Sequence, residues 1–305
     1  MTKSLKSINP IFSVVILNFN TGDYLQKCLQ SISLSELASQ KYEVIVVDNA
    51  SADTSISLAK KIPLLNTKYL ILNTNLGFAT GNNRALSILS PSSKFVLFLN
   101  PDTTVEPQTF SKMLTFFQEN KKIDAATCYL KFALTGKLQP ECHRDFPTPL
   151  AALLHFTGIS SRAYFMEYLD YSKIQKINAC SGAFLMIKRS VGDSINWWNE
   201  KYFYYGEDLD LCYKLRQKGY SLYFYPFTQV THYQGISSGI IKKTQDVSTA
   251  SSQTRLRITL ASTEAMRIFY QENLIDKYHP IVGFFVMSGI KLLELLRIFK
   301  AKYLC

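Results

Sequence analysis

The chain alternates short apolar runs with segments whose apolar residues recur at helical spacing. Residues 11–17 form the first run, and its centre, Val14-Val15-Ile16, is β-branched. A run of this length and type predicts a buried strand. Tyr24, Leu25, Cys28, Leu29 and Ile32 then fall three or four apart, which predicts an amphipathic helix, with Asp23 placed to cap its start. Residues 43–47 and 69–72 predict two more strands, 78–89 a helix, and 94–99 another strand. Pro107 suits the first turn of the next helix, and 123–130 again reads as a strand. This order predicts an α/β fold with a mostly parallel central sheet flanked by helices.

In sheets of that kind ligands bind beyond the carboxyl ends of the strands. Polar residues gather at those ends here: Asn18 and Asn20, Asp48 and Asn49, Asn75, and Asn100 with Asp102. One such Asp or Asn is explained by turn formation. Their recurrence at four ends points to a shared pocket.

Residues 131–180 are less regular, with Pro140, Pro147 and Pro149, and predict loops and short helices beside that pocket. Residues 208–218 predict a helix with acids in the first turn, bases in the last and Gly219 as the stop. A strand at 221–225 follows, and Val230 leads to His232. Residues 236–254 are rich in Ser, Thr and Gly and predict a mobile loop. The pattern thus divides into an α/β domain at 1–235, and a loop with a basic, apolar helical extension at 236–305.

Charge sharpens the picture of that extension. The chain carries +11 formally, and from residue 236 onward ten Lys/Arg against five Asp/Glu contribute +5 of it. Apolar residues 281–290 are followed by Lys291, Glu294, Arg297 and Lys300 at spacings of three, so the apolar run is too short to span a bilayer. The pattern fits a helix lying on an anionic membrane surface, and equally a helix packed on protein. Lys3 and Lys6 before the first apolar run faintly suggest a signal peptide, but no small-residue cleavage site follows. The six cysteines show no C-x-x-C or zinc spacing and read as reduced core residues of a cytoplasmic protein. Phosphate-loop, dinucleotide and nucleophile-elbow motifs are missing, and no nucleic-acid-binding module is evident.

Three segments carry candidate chemistry. Asn100-Pro101-Asp102 offers a carboxylate to a divalent cation, which neutralises a departing diphosphate; by itself it also reads as a turn. Tyr205-Gly206-Glu207-Asp208 opens a helix with two carboxylates, one of which can take a proton from an attacking hydroxyl. Capping by Asp208 is the alternative. His232 ends a strand and can ligate a metal or bind diphosphate, although a lone His is usually structural.

Together these segments resemble family 2 glycosyltransferases of the GT-A fold. The resemblance is carried by Val14-Val15-Ile16-Leu17-Asn18-Phe19-Asn20, by Val44 through Asp53, and by Asn73 through Asn83 with its Asn75-Leu76-Gly77. Phe98 through Asp102, Ser181-Gly182-Ala183-Phe184, Tyr205 through Cys212 and His232-Tyr233-Gln234-Gly235 continue it, over roughly 11–238. The nearest branch is rhamnosyltransferase-like, from bacterial surface-polysaccharide assembly.

The resemblance implies a GT-A (Rossmann-like) sheet and an inverting displacement on a dTDP-, UDP- or GDP-linked sugar. It implies that Asn18, Asn20, Asp48, Asn49, Asn75, Gly77, Asn82, Asn100 and Asp102 bind the nucleotide sugar. Asp102 and His232 would hold Mg²⁺ or Mn²⁺, and Asp208 would be the base with Glu207 beside it. The acceptor would be a glycan or lipid-linked glycan at the inner face of the cell membrane. Asn100 stands where the family's first metal-binding acid usually is, and Asn199 where another Asp is usual. Trp197 and Trp198 beside Asn199 would either stack on an acceptor sugar or pack beneath the loop. A non-catalytic membrane-bound adaptor that keeps the fold is the alternative reading.

Overall fold

The computed structural model describes residues 9–139, 143–161, 164–166, 168–236 and 250–303. Lys3, Lys6, Cys142, Cys305 and the 237–249 part of the expected loop lie outside the described residues.

The first run becomes β1 (Phe12–Asn18), and the second becomes β2 (Tyr42–Asp48), buried along its whole length. β3 (Thr67–Ile71) and β4 (Phe95–Leu99) complete a parallel set in the order β3-β2-β1-β4. Burial on both faces explains why β1, β2 and β4 read as apolar runs rather than alternating ones, while β3 at the sheet edge is partly exposed. Val15, Ile45, Val47, Val96 and Phe98 face one core cluster, and Val14, Ile16, Val44, Val46, Leu97 and Leu99 face the other. Between the strands lie α1 (Tyr24–Ser33), α2 (Ser55–Ala59) and α3 (Phe78–Leu86). The capping expected of Asp23 is corrected. Asp23 sits at the N-cap of α1, but its side chain makes no cap bond and pairs instead with Lys27 at 2.7 Å.

The sheet continues as β8 (Phe184–Lys188), β6 (Ala125–Phe132), β9 (Leu222–His232) and β5 (Thr103–Val105), with β7 (Gln175–Lys176) on β9. β8 runs against both β4 and β6, while β9 is parallel to β6. Hence β9 points the same way as β1, β2 and β4 and delivers its last residue to the same edge. The two short strand signals at 221–225 and 230–232 are one strand. Pro226 interrupts the pattern, and the β6 register shifts between Cys128 and Tyr129 beside it.

The remaining helices are α4 (Thr109–Glu119), α5 (Pro149–Phe156), α6 (Arg189–Ser194), α7 (Glu207–Gln217), α8 (Ser252–Asn273) and α9 (Pro280–Tyr303). Ala265, Ile268, Phe269 and Tyr270 of α8 belong to the same core cluster as Tyr202 and Tyr213, so packing does not stop at residue 235. Among the described residues no helix is long and apolar enough to cross a membrane. Cys28, Cys128, Cys180 and Cys212 are buried free thiols, as core packing requires.

Candidate active site

One cavity opens at the carboxyl edge of β1, β2, β4 and β9. Asn49, Asn75, Gly77, Asn100, Asp102, Glu207, Asp208 and His232 all line it. Residues distant in sequence therefore meet because four parallel strand ends share one edge. β5 pairs antiparallel with β9, with Thr103 opposite His232, and this register brings His232 Nε2 to 3.3 Å from Asp102 Oδ1.

The Asn49 and Asn75 side chains clasp the loop before α3. Asn49 Nδ2 donates to Asn75 Oδ1 at 2.9 Å and to the Gly77 carbonyl at 3.2 Å, and Leu76 N donates back to Asn49 Oδ1 at 2.8 Å. Gly77 has φ +84°, and a Cβ there would stand 2.5 Å from the Phe203 carbonyl oxygen. Only glycine fits this close approach of the loop to the opposite wall.

Four expected nucleotide contacts do not line the cavity. Asn18 is fully buried, and its Nδ2 donates to Asp48 Oδ1 at 2.7 Å and Ser55 Oγ at 2.8 Å, while its Oδ1 accepts from Thr21. Its polar atoms are engaged at the β1–β2 edge, where it orients Asp48. Asp48 accepts from Asn18 and from Ser51 N and is itself buried. Asn20 accepts from Ala52 N at 2.8 Å, and Asn82 donates back along α3 to the Phe78 carbonyl at 3.0 Å. These residues shape the loops around the cavity.

At the other wall, Tyr205 and Gly206 adopt positive φ (+69° and +82°), which turns the chain sharply into α7. Gly206 is the N-cap, so Asp208 lies inside the first turn and does not cap the helix. Asp208 Oδ2 accepts from Arg144 Nη2 at 2.5 Å in a largely buried ion pair. Glu207 is buried, and its Oε2 has no hydrogen-bond partner among the described residues. Burial, and then the adjacent Asp208 carboxylate, pushes Glu207 up to about 8. The two neighbours thus differ in surroundings: burial favours the protonated form of Glu207, while Asp208 is paired with the Arg144 guanidinium.

This difference makes a stability prediction. Glu207 titrates near 4.5 when unfolded and near 8 when folded. Its stabilising contribution is therefore complete below pH 4.5 and lost as pH rises through about 8. Glu207→Gln, which cannot ionise, is expected to raise the unfolding midpoint relative to the parent by an amount that grows from pH 5 to pH 8.5. Thermal unfolding across that range checks it, and a difference that is flat with pH contradicts it.

Residues 13–195 match the family described as glycosyl transferase family 2, well over half of the chain. The chain belongs to that family. It is 25% identical over 246 residues to an N-acetylglucosaminyl-diphospho-decaprenol L-rhamnosyltransferase of Mycobacterium tuberculosis, covering 75% of this chain and 78% of that one. Against rhamnosyltransferase WbbL of Escherichia coli the figures are 25% over 228 residues, 72% and 82%. In structure it resembles a mannosyltransferase from Pyrobaculum calidifontis, seen in complex with GDP-Man and Mn²⁺. The TM-score is 0.56 at 15% identity, over 97% of this chain and 74% of that one. The fold is thus that of the GT-A glycosyltransferases, and the chain is a rhamnosyltransferase-like member of its family.

Two features of this glycosyltransferase were hidden in the sequence. Arg144 comes from the irregular segment and is placed by an antiparallel bridge to Ala179, 64 residues from the Asp208 it meets. Its only local signal was an Arg in a Pro-rich stretch. Thr254, Arg257 and Ile258 of α8 also line the cavity, with the Arg257 guanidinium 3.8 Å over the Phe203 ring. The extension therefore supplies one wall of the site.

The acceptor-side expectation for Trp197 and Trp198 is corrected. Both are buried, Trp198 to 1% exposure, and both meet Phe98 edge-on. Trp197 lies over Gly192, where a Cβ would stand 2.2 Å from its ring. They pack beneath the loop and leave no face for a sugar. Asn199 has a local reason: its Nδ2 donates to Glu272 Oε2 at 2.6 Å, where an Asp would set carboxylate against carboxylate.

Among the described residues no three His, Cys, Asp or Glu side chains cluster as a metal site. The Asp102–His232 pair, a carboxylate and an imidazole 3.3 Å apart, would still suit a divalent cation. Two ligands at right angles, each about 2.1 Å from a metal, stand about 3 Å apart, close to the separation found here. Asn100 Nδ2 lies 3.4 Å from His232 Nε2, so rotation of that amide would offer an oxygen to the same point.

Proposed function

We propose that this enzyme transfers a sugar, with rhamnose favoured, from a dTDP-, UDP- or GDP-linked donor to a hydroxyl of a glycan or lipid-linked glycan, with inversion, in bacterial cell-surface polysaccharide assembly. The observation that carries the reading is the meeting of Asp102 and His232 with Glu207 and Asp208 across one cavity. The rhamnosyltransferase relatives support the donor class.

In this reading Asn49, Asn75 and Gly77 border the nucleotide end, and Arg257 faces the diphosphate. Asp102 and His232 would hold Mg²⁺ or Mn²⁺, which would supply Lewis-acid charge for the departing diphosphate. Asp208 takes the proton from the acceptor hydroxyl as it attacks the anomeric carbon. Arg144 fixes the carboxylate in place, and protonated Glu207 offers a hydrogen bond to a sugar oxygen. Holding donor and acceptor in line removes much of the entropic barrier to attack.

Membrane attachment is part of the proposal. On α9, Val286 and Met287 pack against the core, while Ile281, Phe284, Phe285, Leu292, Leu295, Leu296 and Phe299 are exposed along one stripe. This stripe supports docking on the anionic inner face of the cell membrane, with Lys291 beside it. Phe284→Glu with Phe285→Glu is expected to cut co-sedimentation with anionic vesicles several-fold. Undiminished sedimentation overturns the attachment.

The main test is thermal unfolding with dTDP, UDP or GDP, each with and without Mn²⁺, followed by product analysis with the matching rhamnosyl donor. Ligand at about 100 times its dissociation constant adds about 2.7 kcal/mol, or roughly 5 °C for a chain of this size. A metal-dependent shift followed by glycosidic product supports transfer. Nucleotide binding without product on any acceptor favours the non-catalytic adaptor.

A further inference from the structure

Gln139 is buried between the site and the β6–β9 edge, held by its backbone N–H to the Leu130 carbonyl at 2.9 Å. Its Oε1 lies 2.8 Å from His232 Nδ1. Its Nε2 lies 3.4 Å from the His232 carbonyl and 3.4 Å from Gln234 Oε1. The carbonyl fixes the amide orientation, because a carbonyl oxygen only accepts and so requires the NH₂ end. The oxygen end must then face Nδ1, and Nδ1 must donate.

We infer that Gln139 is a positioning residue that locks His232 in the Nδ1–H tautomer and so turns the bare Nε2 toward Asp102 as a cation ligand. A neutral ring in this tautomer sets the Nε2 lone pair 3.3 Å from a carboxylate oxygen. Two acceptors at that distance repel, and a bound divalent cation would take both as ligands. A hydrogen-bonded second nitrogen that orients a ligating imidazole is a general device of metal sites. The inference rests on the proposed metal reading for its purpose, but the tautomer is a property of the chain alone.

The experiment has two arms. The first is ¹⁵N-histidine NMR of the full chain at about pH 9, where imidazoles are neutral, with His232 assigned by its loss in His232→Gln. The parent and Gln139→Glu, which keeps an acceptor facing Nδ1, are expected to show a protonated Nδ1 and a bare Nε2. Gln139→Leu is expected to lose that signature. The second arm titrates Mn²⁺ by electron paramagnetic resonance. Gln139→Leu is expected to weaken binding about tenfold or more, with Gln139→Glu restoring it. A parent His232 protonated on Nε2, or a Gln139→Leu chain with unchanged tautomer or unchanged Mn²⁺ affinity, overturns the inference. A parent that binds no Mn²⁺ removes the metal reading instead, and the NMR arm alone then decides the role of Gln139.

Discussion

Asp208→Asn is expected to lower the turnover number about 10²–10⁴-fold while the donor nucleotide binds within about twofold of the parent. The acceptor hydroxyl is a weak nucleophile until its proton leaves, and Asp208 is the cavity carboxylate that Arg144 orients through an ion pair. Asn keeps the shape and still accepts from Arg144 through its amide oxygen, but it takes no proton. Asn49, Asn75 and Gly77, proposed to border the nucleotide, are unchanged in this variant. Single-turnover kinetics and calorimetric binding of the nucleotide measure the two halves separately. Arg144 loses its counter-charge in this variant, and breaking a buried pair typically costs about 3–5 kcal/mol. The unfolding midpoint should be recorded alongside, and Asp208→Asn combined with Arg144→Gln serves as a control without the orphaned charge. Turnover within tenfold of the parent would move the base to another group, with Glu207 the nearest.

Asp102→Ala is expected to weaken nucleotide binding about 10–100-fold in the presence of Mn²⁺ and hardly at all in its absence. Asp102 is the only carboxylate within reach of His232 Nε2 in the Asn100-Pro101-Asp102 segment, because Asn100 replaces the other. Removing it leaves imidazole alone, and a hard divalent cation is held mainly by anionic oxygen. Calorimetry with and without the metal reads the difference directly. An equal loss under both conditions assigns Asp102 to direct nucleotide contact. The complementary variant Asn100→Asp restores a second carboxylate and is expected to tighten the metal-dependent part.

Much of the fold was legible because strand and helix signals are local. Val14-Val15-Ile16 and residues 44–47 are apolar without alternation because both faces of their strands are covered, so they read as central strands. The cavity was legible for a related reason. Parallel strands end at one edge, so Asp48-Asn49 and Asn100-Asp102 had to come near each other once the strand order was parallel. Glu207, Asp208 and His232, singled out by their motifs, do line that cavity.

What needed the tertiary structure was the direction and partner of each side chain. Asn18 and Asn75 both follow apolar runs, yet one spends its polar atoms inside the fold and the other clasps a loop at the cavity. Trp197 and Trp198 carry no local mark that distinguishes stacking on a sugar from burial against Phe98. Arg144 meets Asp208 across 64 residues, and Gln139 meets His232 across 93. Periodicity records which face of an element avoids water. It carries no information about which polar groups from other elements are brought opposite that face, and the charge state of Glu207 and the tautomer of His232 depend on those neighbours.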